Sequence, residues 1–78
     1  MSESTLREIA DSGPGWAAER AQTALLIAQA FGKGQLEEDE FKELMADLVR
    51  ADKLDEEADD LETKTALVTA VYAVAQIV

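Results

Sequence analysis

The sequence predicts an all-α fold, a small bundle of three to four short helices, and three observations lead there. Apolar residues recur at steps of three and four rather than two. Glycine and proline occur only in two breaks, Ser12-Gly13-Pro14-Gly15 and Gly32-Lys33-Gly34, which divide the chain into segments of helical length. Acidic residues follow Leu36 and Leu54 at the starts of two of those segments, where carboxylates complement the positive end of a helix.

The first helix is expected at about 3–11, with Thr5 and Glu8 at capping-box spacing and Leu6, Ile9 and Ala10 as its apolar stripe. It is short, and residues 1–14 read as a loosely packed N-terminal arm on a single small domain of 1–78. Pro14 then biases the residue before it away from helix, so a second helix starts near Trp16 and runs to about Phe31. There Ala17, Ala21, Ala24, Leu25, Ala28 and Phe31 form the apolar side, widened by Leu26 and Ile27, while Glu19, Gln22, Thr23 and Gln29 mark the polar one.

A third helix, at about 38–52, carries the clearest signals. With Glu37 as N-cap, Glu38, Asp39 and Glu40 fill the first turn, and Leu36 and Phe41 occupy the two positions of a hydrophobic staple. Phe41, Leu44, Met45, Leu48 and Val49 follow at i, i+3, i+4, i+7 and i+8. The same start recurs at Leu54-Asp55-Glu56-Glu57, with Asp55 as cap, and predicts a fourth helix at about 56–76. Its wheel puts Leu61, Thr65, Val68, Tyr72 and Ala75 on one side with Val71 and Val78. Ala66, Ala70, Ala73 and Ile77 lie on the other. The β-branched residues of 66–78 would also suit a strand, but four alanines and no period-two alternation favour a helix. The expected core is Leu25, Ala28, Phe31, Phe41, Leu44, Leu48, Leu61, Val68 and Tyr72.

Composition narrows the chemistry. The 78 residues include no cysteine and no histidine, which removes thiolates, the commonest general base and the commonest transition-metal ligand. Net charge is -10, and residues 37–62 hold 13 acids and 3 bases, so the whole excess sits there. Such a field repels nucleic acid and anionic membranes. The apolar run 66–78 is too short for the roughly 20 residues that span a bilayer, and Glu3 and Glu8 stand where a secretory signal would be basic and apolar. A cytoplasmic protein, or one inside an assembled virion, is expected.

Two stretches invite a calcium reading. In Phe31-Gly-Lys-Gly-Gln-Leu-Glu-Glu-Asp-Glu-Phe41, Gly34, Leu36 and Glu40 fall at positions 6, 8 and 12 of an EF-hand loop. Positions 1, 3 and 5 are Gln29, Phe31 and Lys33, which supply no carboxylate and one cation. In Asp55-Glu-Glu-Ala-Asp-Asp60 the acids alternate correctly, but positions 6 and 12 are Asp60 and Ala66, without the sharp turn or the closing bidentate ligand. No metal and no cofactor is expected, and no catalytic residue. The Gly-rich stretch 31–41 is a helix-turn-helix joint.

The helix, the Gly34 turn, Leu36, the acids, Glu40-Phe41 and Leu48 resemble the SHOCT module, a short helical hairpin of bacterial and phage proteins, over about residues 24–50. The resemblance implies oligomerisation or tethering and carries over no catalytic residue. The long apolar C-terminal helix departs from that pattern.

These residues lead to a non-enzymatic assembly or adaptor protein, a minor component of a larger complex such as a phage or bacterial assembly. A helix apolar nearly all round needs burial nearly all round, and a chain this small covers little of it. Val71, Val74, Ile77 and Val78, with Trp16, are therefore the expected surface for a protein partner or for self-association, without direct nucleic-acid binding. The alternative is an acidic mimic of nucleic acid whose face of Asp55, Glu56, Glu57, Asp59 and Asp60 occupies the basic cleft of a nucleic-acid-binding enzyme.

Overall fold

The computed structural model describes residues 2–50, 54 and 58–77, and for Ser2 and Ile77 the backbone alone. Among these the chain is all-helical: α1 (Ser2–Ser12), α2 (Gly15–Gly32), α3 (Glu38–Leu48) and α4 (Leu61–Ile77). Helices α2 and α4 pack together, and α1 and α3 each pack against both of them. The two outer helices thus flank a central pair. Residues 66–77 are helix, as the alanines predict, and the β-branched residues sit within it.

Helix α1 starts at Ser2, so Thr5 lies inside it rather than capping it. It ends where Gly13 N–H donates to Ile9 O at 2.8 Å, and a Cβ on Gly13 would sit only 2.7 Å from that oxygen. Pro14 is extended and its carbonyl accepts from the amides of Ala17 and Ala18, so α2 begins at Gly15. The far end of α2 closes through a Schellman arrangement. Gln35 N–H reaches Ala30 O at 3.0 Å, Gly34 N–H reaches Phe31 O at 3.0 Å, and Gly34 takes a φ of 78° that side chains disfavour. This answers the calcium reading of the stretch 31–41: Gln29 and Phe31 belong to α2, and Gly34 is a helix stop.

Glu37 caps α3 as expected, within a capping box in which its N–H donates to Glu40 Oε1 at 3.4 Å. The ring of Phe31 stacks on that of Phe41, with centroids 4.4 Å apart and planes 19° apart. That stack joins the end of α2 to the start of α3. Leu36 is half-buried. Helix α3 stops at Leu48, four residues short of the expected end, with Val49 as C-cap.

The fourth helix begins at Leu61, not near 56. Ala58, Asp59 and Asp60 are outside it, and Asp55, Glu56 and Glu57 lie outside the described residues. The cap is Asp60: Oδ1 accepts from Glu62 N–H at 3.2 Å, Oδ2 accepts from the Thr63 hydroxyl, and its carbonyl accepts from Lys64 N–H. The short carboxylate immediately before Leu61 is the better-placed cap, and Asp55 stands too early for a helix with that start.

The core is built from Leu6 and Ile9 of α1, Ala17, Ala21 and Ala24 of α2, Phe41, Met45 and Val49 at α3, Leu54, and Leu67, Ala70, Val71 and Ala75 of α4. Helix α1 is thus part of it. The stripe of α2 is as predicted at Ala17, Ala21 and Ala24, with Leu25, Ala28 and Phe31 half-buried against it. Three buried alanines in register leave α2 thin on that side. Three expected core residues are instead on the surface: Leu44 at 42% exposure, Tyr72 at 46% and Leu61 at 75%. For Leu61 and Tyr72 the reason is the rotation of α4, while Leu44 sits at the margin of the α3 stripe. The inward face of α4 is Leu67, Ala70, Val71 and Ala75, spaced i, i+3, i+4 and i+8 with half-buried Val74 at i+7.

Candidate protein-docking face

Rotating α4 this way turns a different stripe outward. Leu61, Thr65, Thr69, Tyr72 and Gln76 are all exposed and share one side of the helix, since steps of four, four, three and four residues stay within about 80° at 100° per residue. From Thr65 to Ile77 the chain has no charged residue, although 31% of it is charged. The solvent side of α4 is therefore uncharged over about three turns.

Beside this stripe an open groove of about 720 Å³ runs between α4 and α1, lined by Thr5, Leu61, Thr65, Ala66, Thr69 and Ala70. Its depth comes from small side chains: alanine and threonine on α4 and threonine on α1 leave a trough that Leu61 borders. Glu62 lies at one end, where a smaller hollow continues past Ala66 to Glu8, Ser12 and Gly13 of α1. Thr5 lines the groove with Thr69, and Glu8 faces Glu62 and Thr63, so the two helices run antiparallel along it.

The expected partner residues divide. Val71 is fully buried in the core and Val74 half-buried, so the outward surface of α4 belongs to Leu61, Thr65, Thr69 and Tyr72 instead. The side chain of Ile77, and Val78 altogether, lie outside the described residues. Trp16 is half-buried at the start of α2 and its indole N–H donates to Asp59 Oδ1 at 3.3 Å. It thereby ties α2 to the segment leading into α4. Arg20, one turn on, adds a clasp that the sequence did not reveal: Nε donates to Leu48 O at 3.0 Å and a terminal nitrogen to Trp16 O at 3.1 Å. A guanidinium at the last carbonyls of α3 sits at the negative end of that helix.

Of the five acids expected to form one face, Asp59 accepts from the Trp16 indole and Asp60 caps α4, and Asp55, Glu56 and Glu57 lie outside the described residues. On α3, Glu38 pairs with Lys42 at 3.0 Å, and Asp47 pairs with Arg50 at 3.4 Å. Among the described residues no polar or charged side chain is buried, and no three carboxylates converge as metal ligands. Nor is any described helix long and apolar enough to cross a membrane.

No protein-family model, curated protein or solved structure matches this chain. The residues that carry the SHOCT resemblance form the α2–α3 joint, with its Schellman glycine and Phe31–Phe41 stack.

Proposed function

We propose that the protein is a non-enzymatic interaction module, a small acidic component of a larger protein assembly, and that it works by burying the outer face of α4 against a protein partner. The observation that carries this reading is the uncharged stripe of Leu61, Thr65, Thr69 and Tyr72 beside an open apolar groove. A surface helix that only faced water would carry the charged residues that favour solubility, as α3 does with Glu38, Asp39, Lys42, Glu43 and Asp47. Uncharged surface that carries an exposed leucine and an exposed tyrosine suits an interface, whose core is depleted of charge and enriched in aromatic residues. The mechanism is then burial of a helix face, with the acidic region 37–62 orienting the approach of a basic partner.

The test is site-resolved photo-crosslinking in the cells that make the protein, with a photoreactive phenylalanine at Thr65, Thr69 or Tyr72 and, as controls, at the exposed Gln35 and Glu43. The reading expects one discrete adduct shared by the three α4 positions and missing from both controls. Adducts at Glu43 but not on α4 would overturn it and favour the acidic-mimic alternative.

A further inference from the structure

We infer that the α1/α4 groove takes a cationic amphipathic helix from a second protein, its apolar face lying on Ala66, Thr69 and Ala70 and a lysine or arginine meeting Glu8 and Glu62. This rests on the reading of α4 as a docking face and names the occupant.

The argument is the distribution of charge along the groove. From Thr65 to Ala70 its α4 wall is uncharged, while at the other end two carboxylates, Glu8 of α1 and Glu62 of α4, line the same hollow. Among the described residues neither carboxylate has an ion-pair partner. The cation of α1, Arg7, is on the side facing α2, bonded to Glu3 at 3.0 Å beside Leu25 and Gln29. Among the described residues no lysine or arginine lines either part of the groove. A partner that fits is therefore apolar for most of its length and positive at one end.

A second copy of this chain is a poor occupant. It would bring another net charge of -10 to a groove that already ends in two unpaired acids. Length sets a further constraint. The stretch from Leu61 to Ala70 rises about 14 Å, enough for about nine residues of a docked helix. The occupant then presents small or medium apolar residues at i and i+3 or i+4, with the basic residue about one turn beyond, at i+7 or i+8.

The probe is a display library of 14-residue helical peptides with randomised surface positions, selected on the immobilised full chain. Three folded surface variants, checked by circular dichroism, assign the binding: Thr65→Trp, which fills the groove, Glu8→Gln with Glu62→Gln, and Glu43→Gln as control. Selected peptides are expected to carry the terminal basic residue and to weaken at least about tenfold on Thr65→Trp. The double glutamine variant should weaken them about fivefold at low salt, the range of two solvent-accessible ion pairs, and less at 0.5 M salt. Peptides that lose binding on Thr65→Trp but lack a basic residue and ignore the glutamines would overturn the cationic occupant while leaving the α4 face as the docking surface. A selection in which nothing is sensitive to Thr65→Trp would overturn the groove itself.

Discussion

Leu61 and Leu67 are both leucines of α4, and truncating each to alanine separates two rotations of that helix. Leu67 is fully buried and Leu61 is 75% exposed. Removing a buried leucine side chain costs the lost transfer energy plus the cavity, about 2–5 kcal/mol, and about 3 kcal/mol is a fair central value here. Whole-chain stability, at about 0.05–0.15 kcal/mol per residue, is about 4–12 kcal/mol for this length, and a core this small sits toward the low end. Leu67→Ala should therefore remove half or more of the stability. Leu61→Ala should change it by less than about 0.5 kcal/mol. Urea unfolding followed by far-UV circular dichroism reads both. With a slope of about 1 kcal/mol per M, the Leu67 variant should unfold about 3 M earlier and the Leu61 variant within about 0.5 M of the parent. The reasoning fails if Leu61→Ala is the more damaging, because α4 would then be turned so that Leu61, Val68 and Tyr72 face the core.

Three further expectations follow from single residues. Asp60→Ala removes the cap of α4 and should cost about 1 kcal/mol with loss of helical signal, and Asp60→Asn should restore most of it, since the amide oxygen can still accept from Glu62 N–H. Gly34→Ala forces a side chain into φ 78° and should cost about 1 kcal/mol in the same urea assay, with Gly34→Asn milder. Arg20→Met keeps the stem but deletes the bonds to Leu48 O and Trp16 O. Faster amide exchange in α3 should result, with a loss of about 1–3 kcal/mol, and Arg20→Lys should not rescue it because an ammonium lacks the fork that serves two carbonyls.

What the sequence revealed and what it hid both trace to how sharply charge marks each helix. In α3 the polar positions are ionic, so the stripe of Phe41, Met45, Leu48 and Val49 stands out, and only Leu44 at its margin turns out exposed. In α2 the uncharged Gln22 and Gln29 still outlined the polar side, and the alanine stripe was placed correctly. In α4 nothing from Thr65 onward is charged, so two opposite faces looked alike on a wheel. The bulky Leu61 and Tyr72 then point to a core on the side that is exposed, and nothing in the pattern marks Leu67 as the buried one. Packing decides the matter: Leu67, Ala70, Val71 and Ala75 join the alanines of α2 in one buried cluster, a stripe with small residues beside large ones. The start of α4 was misplaced for a related reason, since five acids between Asp55 and Asp60 offered several caps and only the tertiary fold selects Asp60. The clasp of Arg20 on Leu48 O left no local signal, because its partner is a backbone carbonyl 28 residues away.

The ambiguity that hid the core of α4 is also what marks its outer side. A chain that places 13 of its 17 acids between residues 37 and 62 has ample charge for solubility, yet puts none on three exposed turns of its last helix. Core packing does not require this, because Thr65, Thr69 and Tyr72 point away from α2 and would tolerate lysine or glutamate at little cost. An uncharged outer face and an acidic α3 make different demands on salt. Docking through α4 with ion pairs only at the Glu8 and Glu62 end should weaken only a few-fold between 0.05 and 0.5 M salt, whereas a nucleic-acid mimic acting through many surface carboxylates should weaken by orders of magnitude. The salt slope of the partner complex, once crosslinking has captured it, separates the two roles by size of effect rather than by its presence. A steep slope would move the working surface from α4 to the acids of α3.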